Sequence, residues 1–149
     1  MTTATAHHGT EMMLTPAMIA DAHACAEQRL DDLIIAARAA TMTDPDVHDD
    51  YRDAIAEAWH VMTGWRALAM IGDAVTVATI KARYAEARDR EDATCIAYDD
   101  AYNADIVDDA HVDACRSAYV AACAAVAMWH DAIKRVWEAD MHRVMALRA

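Results

Sequence analysis

Apolar residues recur every three or four positions along most of this chain. One segment carries Ile19, Ala22, Ala26, Leu30, Leu33, Ala37 and Ala40, and a second carries Val47, Tyr51, Ala54, Ala58, Met62, Trp65 and Ala69. A third has Ile80, Tyr84, Ala87, Thr94, Tyr98 and Tyr102. The fourth has Val112, Cys115, Tyr119, Cys123, Val126, His130, Ile133, Trp137, Met141 and Val144. Such spacing puts one apolar stripe on one face of an α-helix.

The punctuation between stripes agrees. Thr15 before Pro16 offers an N-cap followed by proline at the first helical position, and Asp44 before Pro45 repeats the device. Gly72 then Asp73 reads as a C-terminal glycine and a fresh N-cap, and Asp108 or Asp109 caps the last segment. The first helix is expected over residues 16–41. Gly64 is a competing break in the second, and the stripe runs smoothly enough across Gly72 to allow one longer helix there. Residues 74–80, though β-branched, are flanked by helical sequence and are read as helix. Residues 1–14 are expected to form a flexible arm, and residues 15–149 one domain.

Short connections make consecutive helices antiparallel neighbours, which predicts an all-α, antiparallel four-helix bundle with an elongated C-terminal helix. At about 1.5 Å per residue the first two helices reach about 40 Å and the fourth about 60 Å. The last turns of the fourth carry Trp137, Met141, Val144, Met145 and Leu147. Uncovered, they form an apolar patch of the kind that takes a partner or a second copy, so a homo-oligomer through the fourth helix is expected.

Composition strengthens the helical reading. The 149 residues include three glycines, two prolines and no phenylalanine, and alanine, the best helix former, is abundant. The formal charge is −12 and the isoelectric point near 4.8. That balance argues against direct binding to nucleic-acid phosphates or anionic membranes. No apolar run approaches a membrane span, and the first residues lack a signal peptide's basic start and apolar core. Cys25, Cys95, Cys115 and Cys123 form no CxxC pair and are expected as reduced, buried small hydrophobes in a cytoplasmic protein.

Candidate chemistry is sparse. Glu57 and His60 match the Glu-x-x-His spacing of di-iron bundles, but the helical wheel turns both away from the stripe, and Glu138 and His142 are four apart. His130 falls inside the fourth stripe and Glu91 on the inward face of the third, which suggests a buried pair. With His23 or Cys123 that pair is the candidate metal site. Haem needs an inward histidine or methionine and an opened core, and no CxxCH motif occurs. Ser117 is the only serine, and no nucleophile elbow or phosphate loop is present. No catalytic residue is assigned.

The charge layout is more informative. Residues 44–53 hold Asp44, Asp46, Asp49, Asp50 and Asp53 against Arg52. Residues 99–113 hold Asp99, Asp100, Asp105, Asp108, Asp109 and Asp113 with no lysine or arginine. In an up-down-up-down bundle both connections lie at one end, so these segments should meet in an acidic pole, with Lys81, Arg66, Lys134, Arg135 and Arg143 toward the other end. Helix capping accounts for part of the cluster. It does not account for Asp99, Asp100 and Asp105, which lie toward a helix C-terminus, where the dipole disfavours acids. The expected function is a non-enzymatic interaction protein docking a basic protein surface through this pole. The alternatives are a metal- or haem-binding bundle and an assembly subunit.

Overall fold

The computed structural model describes residues 12–149. Four helices dominate: α1 (Pro16–Thr43), α2 (His48–Ile71), α3 (Val77–Tyr102) and α4 (Asp109–Arg148). Their starts are local hydrogen-bond events. The Thr15 hydroxyl accepts from the Met18 N–H at 3.3 Å, and the Thr76 hydroxyl from the Thr79 N–H at 3.2 Å. Asp108 Oδ1 accepts from the Ala110 and His111 N–H groups at 3.0 and 3.3 Å. Asp44 Oδ1 accepts from the Asp46 N–H at 3.0 Å and opens a 3₁₀ turn, Pro45–Val47, which leads into α2. Each cap satisfies an N–H that the helix itself leaves unpaired. α2 passes through Gly64 and stops at Gly72, whose φ of +76° is the left-handed conformation glycine adopts without strain.

Three expectations need correction around the short segments. Residues 74–80 are not all helix: Val75–Thr76 forms a two-residue strand, β2, antiparallel to β1 (Met13–Leu14), with Met13 opposite Thr76 and Leu14 opposite Val75. The cap of α3 is therefore Thr76, not Asp73. Residues 12–14 do not belong to a loose arm, because Leu14 is fully buried and the Val77 N–H donates to the Met12 carbonyl at 3.4 Å. A buried leucine and a β-branched Val-Thr-Val run reward the extended pairing more than they reward one further helical turn. Residues 1–11, the rest of the expected arm, lie outside the described residues.

The main backbone contacts between helices run α1 to α2, α2 to α4 and α4 to α3. α3 and α4 are antiparallel: the Tyr84 ring lies 6.3 Å from that of His130, and Tyr98 stacks on Tyr119 at 6.3 Å. α2 and α4 run parallel, matched at Asp53 with Arg116 and again at Gly64 with Met128. The bundle is thus a flattened one, with two antiparallel hairpins joined along the α2–α4 seam. Small residues permit the close approach. Ala58, Ala124 and Ala132 are buried, and a Cβ on Gly64 would collide with Met128 Sδ. The core gathers Leu14, Ile19, Ala22, Ala26, Trp65, Ile80, Met128, Ala132 and Val136 at the end where α1 and α3 begin.

The same registers measure the excess length of α4. Gly64 beside Met128 puts Ile71 level with Arg135, and Tyr84 beside His130 puts Val77 level with Trp137. Arg135 Nη1 reaches Asp21 at 2.7 Å, which puts Pro16 level with Asp140. α4 therefore projects past the ends of α1, α2 and α3, and Trp137, Met145 and Leu147 are 61%, 63% and 82% exposed.

The seam gives a sign-changing test. Gly64→Ala gains up to about 1 kcal/mol of helix propensity but overpacks Met128 at about 1–3 kcal/mol. It is expected to destabilise the chain by about 1 kcal/mol in denaturant unfolding. In a Met128→Ala background the collision is gone, and the same substitution should stabilise.

Candidate functional site

The two acidic segments meet at the end opposite the main core. Arg116 of α4 donates through Nε and Nη2 to Asp53 Oδ2 of α2 at 2.9 and 2.6 Å. Arg52 of α2 lies 4.0 Å from Asp113 of α4. These crossed pairs hold the start of α2 against the start of α4, and with them the α1–α2 and α3–α4 connections. The hydrogen bond to Asp53 raises the pKa of Arg116 above its ordinary value. Arg116 was not singled out in the sequence. The signal was its position three residues after Asp113, one turn on the same helix face.

The eleven aspartates are not equivalent. Asp44 and Asp108 bond backbone N–H groups at the 3₁₀ turn and at the start of α4, while Asp53 and Asp113 face arginines. Asp49 and Asp50 occupy the first turn of α2, where the dipole favours them. Asp46, Asp50, Asp99, Asp100, Asp105 and Asp109 are exposed, and their carboxylates have no partner among the described residues. The ends of α1 and α3 beside these connections also carry exposed apolar side chains that a purely solvated surface does not require. Met42 is 89% exposed, Ile106 88%, Tyr102 64% and Val107 53%.

The metal candidates do not converge. His130 is exposed against Tyr84, not buried, which corrects its placement in the core. α4 is covered by α2 on one side and α3 on the other, and its most buried positions are Ala122, Ala124, Met128, Ala132 and Val136. The larger residues of the apolar stripe lie at the rim of that face. Glu91 pairs instead with Arg88 at 2.9 Å and accepts from the Cys123 thiol at 3.6 Å. His23 lies on α1, 3.6 Å from Glu27, and its Nε2 is buried without a hydrogen bond. Among the described residues no three His, Cys, Asp or Glu side chains are placed to hold an ion. Glu57 and His60 are half-buried rather than outward, because α2 has α1 on one flank and α4 on another. They open into different grooves: Glu57 faces the one floored by Trp65, and His60 the one beside Arg116 and Ser117. Cys25 is exposed, against expectation, while Cys95, Cys115 and Cys123 are half-buried, and all four are free thiols.

Tyr119 and Cys123, one turn apart on α4, titrate together beside Glu91 of α3. Burial, reinforced by Glu91, raises the Cys123 thiol above its ordinary value of 9.0. The Tyr119 phenol, hydrogen-bonded to Cys123, is raised from 10.0 to about 12. No helix among the described residues is long and apolar enough to cross a membrane. Comparison with protein families, with curated proteins and with solved structures returns no match to this chain.

The coupled pair predicts an alkaline instability. Both groups hold their protons more tightly when folded, so their contribution is fully present below the ordinary values and is lost as pH rises through the folded ones. The thermal midpoint should be flat up to pH 9.0 and fall from there toward about 12. Cys123→Ala should flatten the earlier part of that fall, as read by thermal melts across the pH series.

Proposed function

We propose that this chain is a non-catalytic interaction protein of the cytoplasm whose acidic pole docks a basic surface on another protein. The supporting observation is the composition of the pole: exposed carboxylates of both connections share this end with exposed apolar side chains, Met42 at the end of α1 and Tyr102, Ile106 and Val107 at and after the end of α3. Acids alone solubilise. Acids interspersed with apolar side chains match a basic surface that carries its own apolar contacts, and charge supplies the encounter rate while the apolar contacts supply adhesion. Nucleic-acid-binding proteins present such basic surfaces, and the carboxylates would stand in for phosphates. Docking of this kind occludes the nucleic-acid site and is inhibitory. The overhang of α4 is a second interaction surface, for a copy of the chain itself.

The reading has a direct test. The carboxylates of Asp99, Asp100, Asp105 and Asp109 have no hydrogen-bond or ion-pair partner among the described residues, so replacing all four with Asn should leave the helical circular dichroism essentially unchanged. Captured partners should be basic proteins that release duplex DNA on binding. Their affinity for the variant should fall by roughly a hundredfold, at about 1 kcal/mol or less per screened charge, and rising salt should weaken binding of the unaltered chain. Binding that ignores both the substitutions and the salt defeats the proposal.

A further inference from the structure

We infer that the projecting end of α4 pairs with the same segment of a second copy in the antiparallel sense. This rests on the reading of the overhang as a self-association surface and adds its geometry. Trp137, Met141, Val144 and Met145 recur at three- and four-residue intervals, so they form one stripe that starts at Trp137, level with the start of α3, and continues along the part of α4 that outreaches the other helices; Val144 is half-buried and the other three are exposed. Glu138 and Asp140 lie in the first half of this segment, and His142, Arg143 and Arg148 in the second. Asp140 is already joined to Arg143 at 2.6 Å. Glu138 has only a loose neighbour in Lys134 at 3.8 Å, and Arg148 has no partner among the described residues.

A segment that is acidic first and basic second is complementary to itself only when reversed. In-register parallel pairing sets Glu138 against Glu138 and Arg148 against Arg148. Reversed pairing centred near His142 and Arg143 lays Met141 on Val144 and brings Glu138 of each copy to Arg148 of the other. The net charge favours the same choice. Parallel pairing would place two chains of charge −12 side by side with their acidic poles together. Reversed pairing sends the poles to opposite ends. Two helices of 40 residues overlapping by about 18 Å separate the poles by roughly 100 Å, far beyond a Debye length of about 8–10 Å. Four side chains on about three turns of one helix cover less than the ~800 Å² per partner of a standard interface, so the dimer is expected to be a weak one, formed only at high protein concentration.

Sedimentation across a concentration series tests the pairing and its direction separately. The unaltered chain should pass from monomer to dimer, and Trp137→Ser with Met141→Ser should abolish the dimer while leaving the fold intact by circular dichroism. Glu138→Arg alone and Arg148→Glu alone should each weaken the dimer by roughly three- to tenfold, because each sets like charges together at two symmetric contacts. The combined Glu138→Arg, Arg148→Glu exchange should restore it. A chain that stays monomeric at all concentrations overturns self-association itself. A dimer indifferent to both single reversals leaves self-association standing and overturns the antiparallel geometry.

Discussion

Everything in this fold depends on how closely α2 and α4 can approach. The two hairpins, α1–α2 and α3–α4, are each held by their own connections, and the backbone contact that joins them is chiefly the α2–α4 seam. Two contacts set its register, Asp53 with Arg116 near one end and Gly64 against Met128 farther along, and the long Arg135 side chain reaches back over Trp65, with its guanidinium 6.0 Å from the ring centre. Burial alone would lower the pKa of Arg135, but the carboxylates of Asp131 and Asp21 overcome that and raise it. The Gly64 contact is the tight one. A Cβ there would displace the buried Met128 thioether, which can shift only as far as its packed surroundings allow.

The seam explains which parts of the fold were legible in the sequence. α1 makes most of its backbone contacts with α2 and meets α4 through side chains at its first turns, and its stripe of Ile19, Ala22, Ala26, Leu30, Leu33 and Ala37 matches its buried and half-buried positions. α4 faces two neighbours, so its buried face is broad and centred on alanines. A stripe read from its larger residues came out rotated toward the rim, and His130 with it. Alanine at a close contact looks like alanine chosen for helix propensity, so spacing alone cannot separate them. The strand pairing of Leu14 with Val75 was hidden for another reason. It joins residues 61 positions apart, and a two-residue strand has no periodicity to detect.

The acidic end was legible because it depends only on helix order. Which aspartates are occupied was not legible, since that depends on α2 and α4 being parallel neighbours with Arg52 and Arg116 crossing between them. Those two arginines join the segments and also relieve some of their mutual repulsion. They do little for Asp99, Asp100 and Asp105, which follow the C-terminal direction of α3, where the helix dipole adds its own penalty of about 0.3–1 kcal/mol per charge.

α4 is the element on which both proposed surfaces depend. Its first turn is capped by Asp108 within the acidic end, and its last turns carry exposed Trp137, Met141 and Met145 at and past the ends of the other helices. One 40-residue helix therefore sets the two proposed surfaces about 45–55 Å apart. The two proposed contacts depend on salt to different degrees. Salt would screen the attraction of a basic partner to the carboxylates, whereas self-association would rest mainly on the apolar stripe, with the acidic ends too far apart in the reversed arrangement for their repulsion to matter.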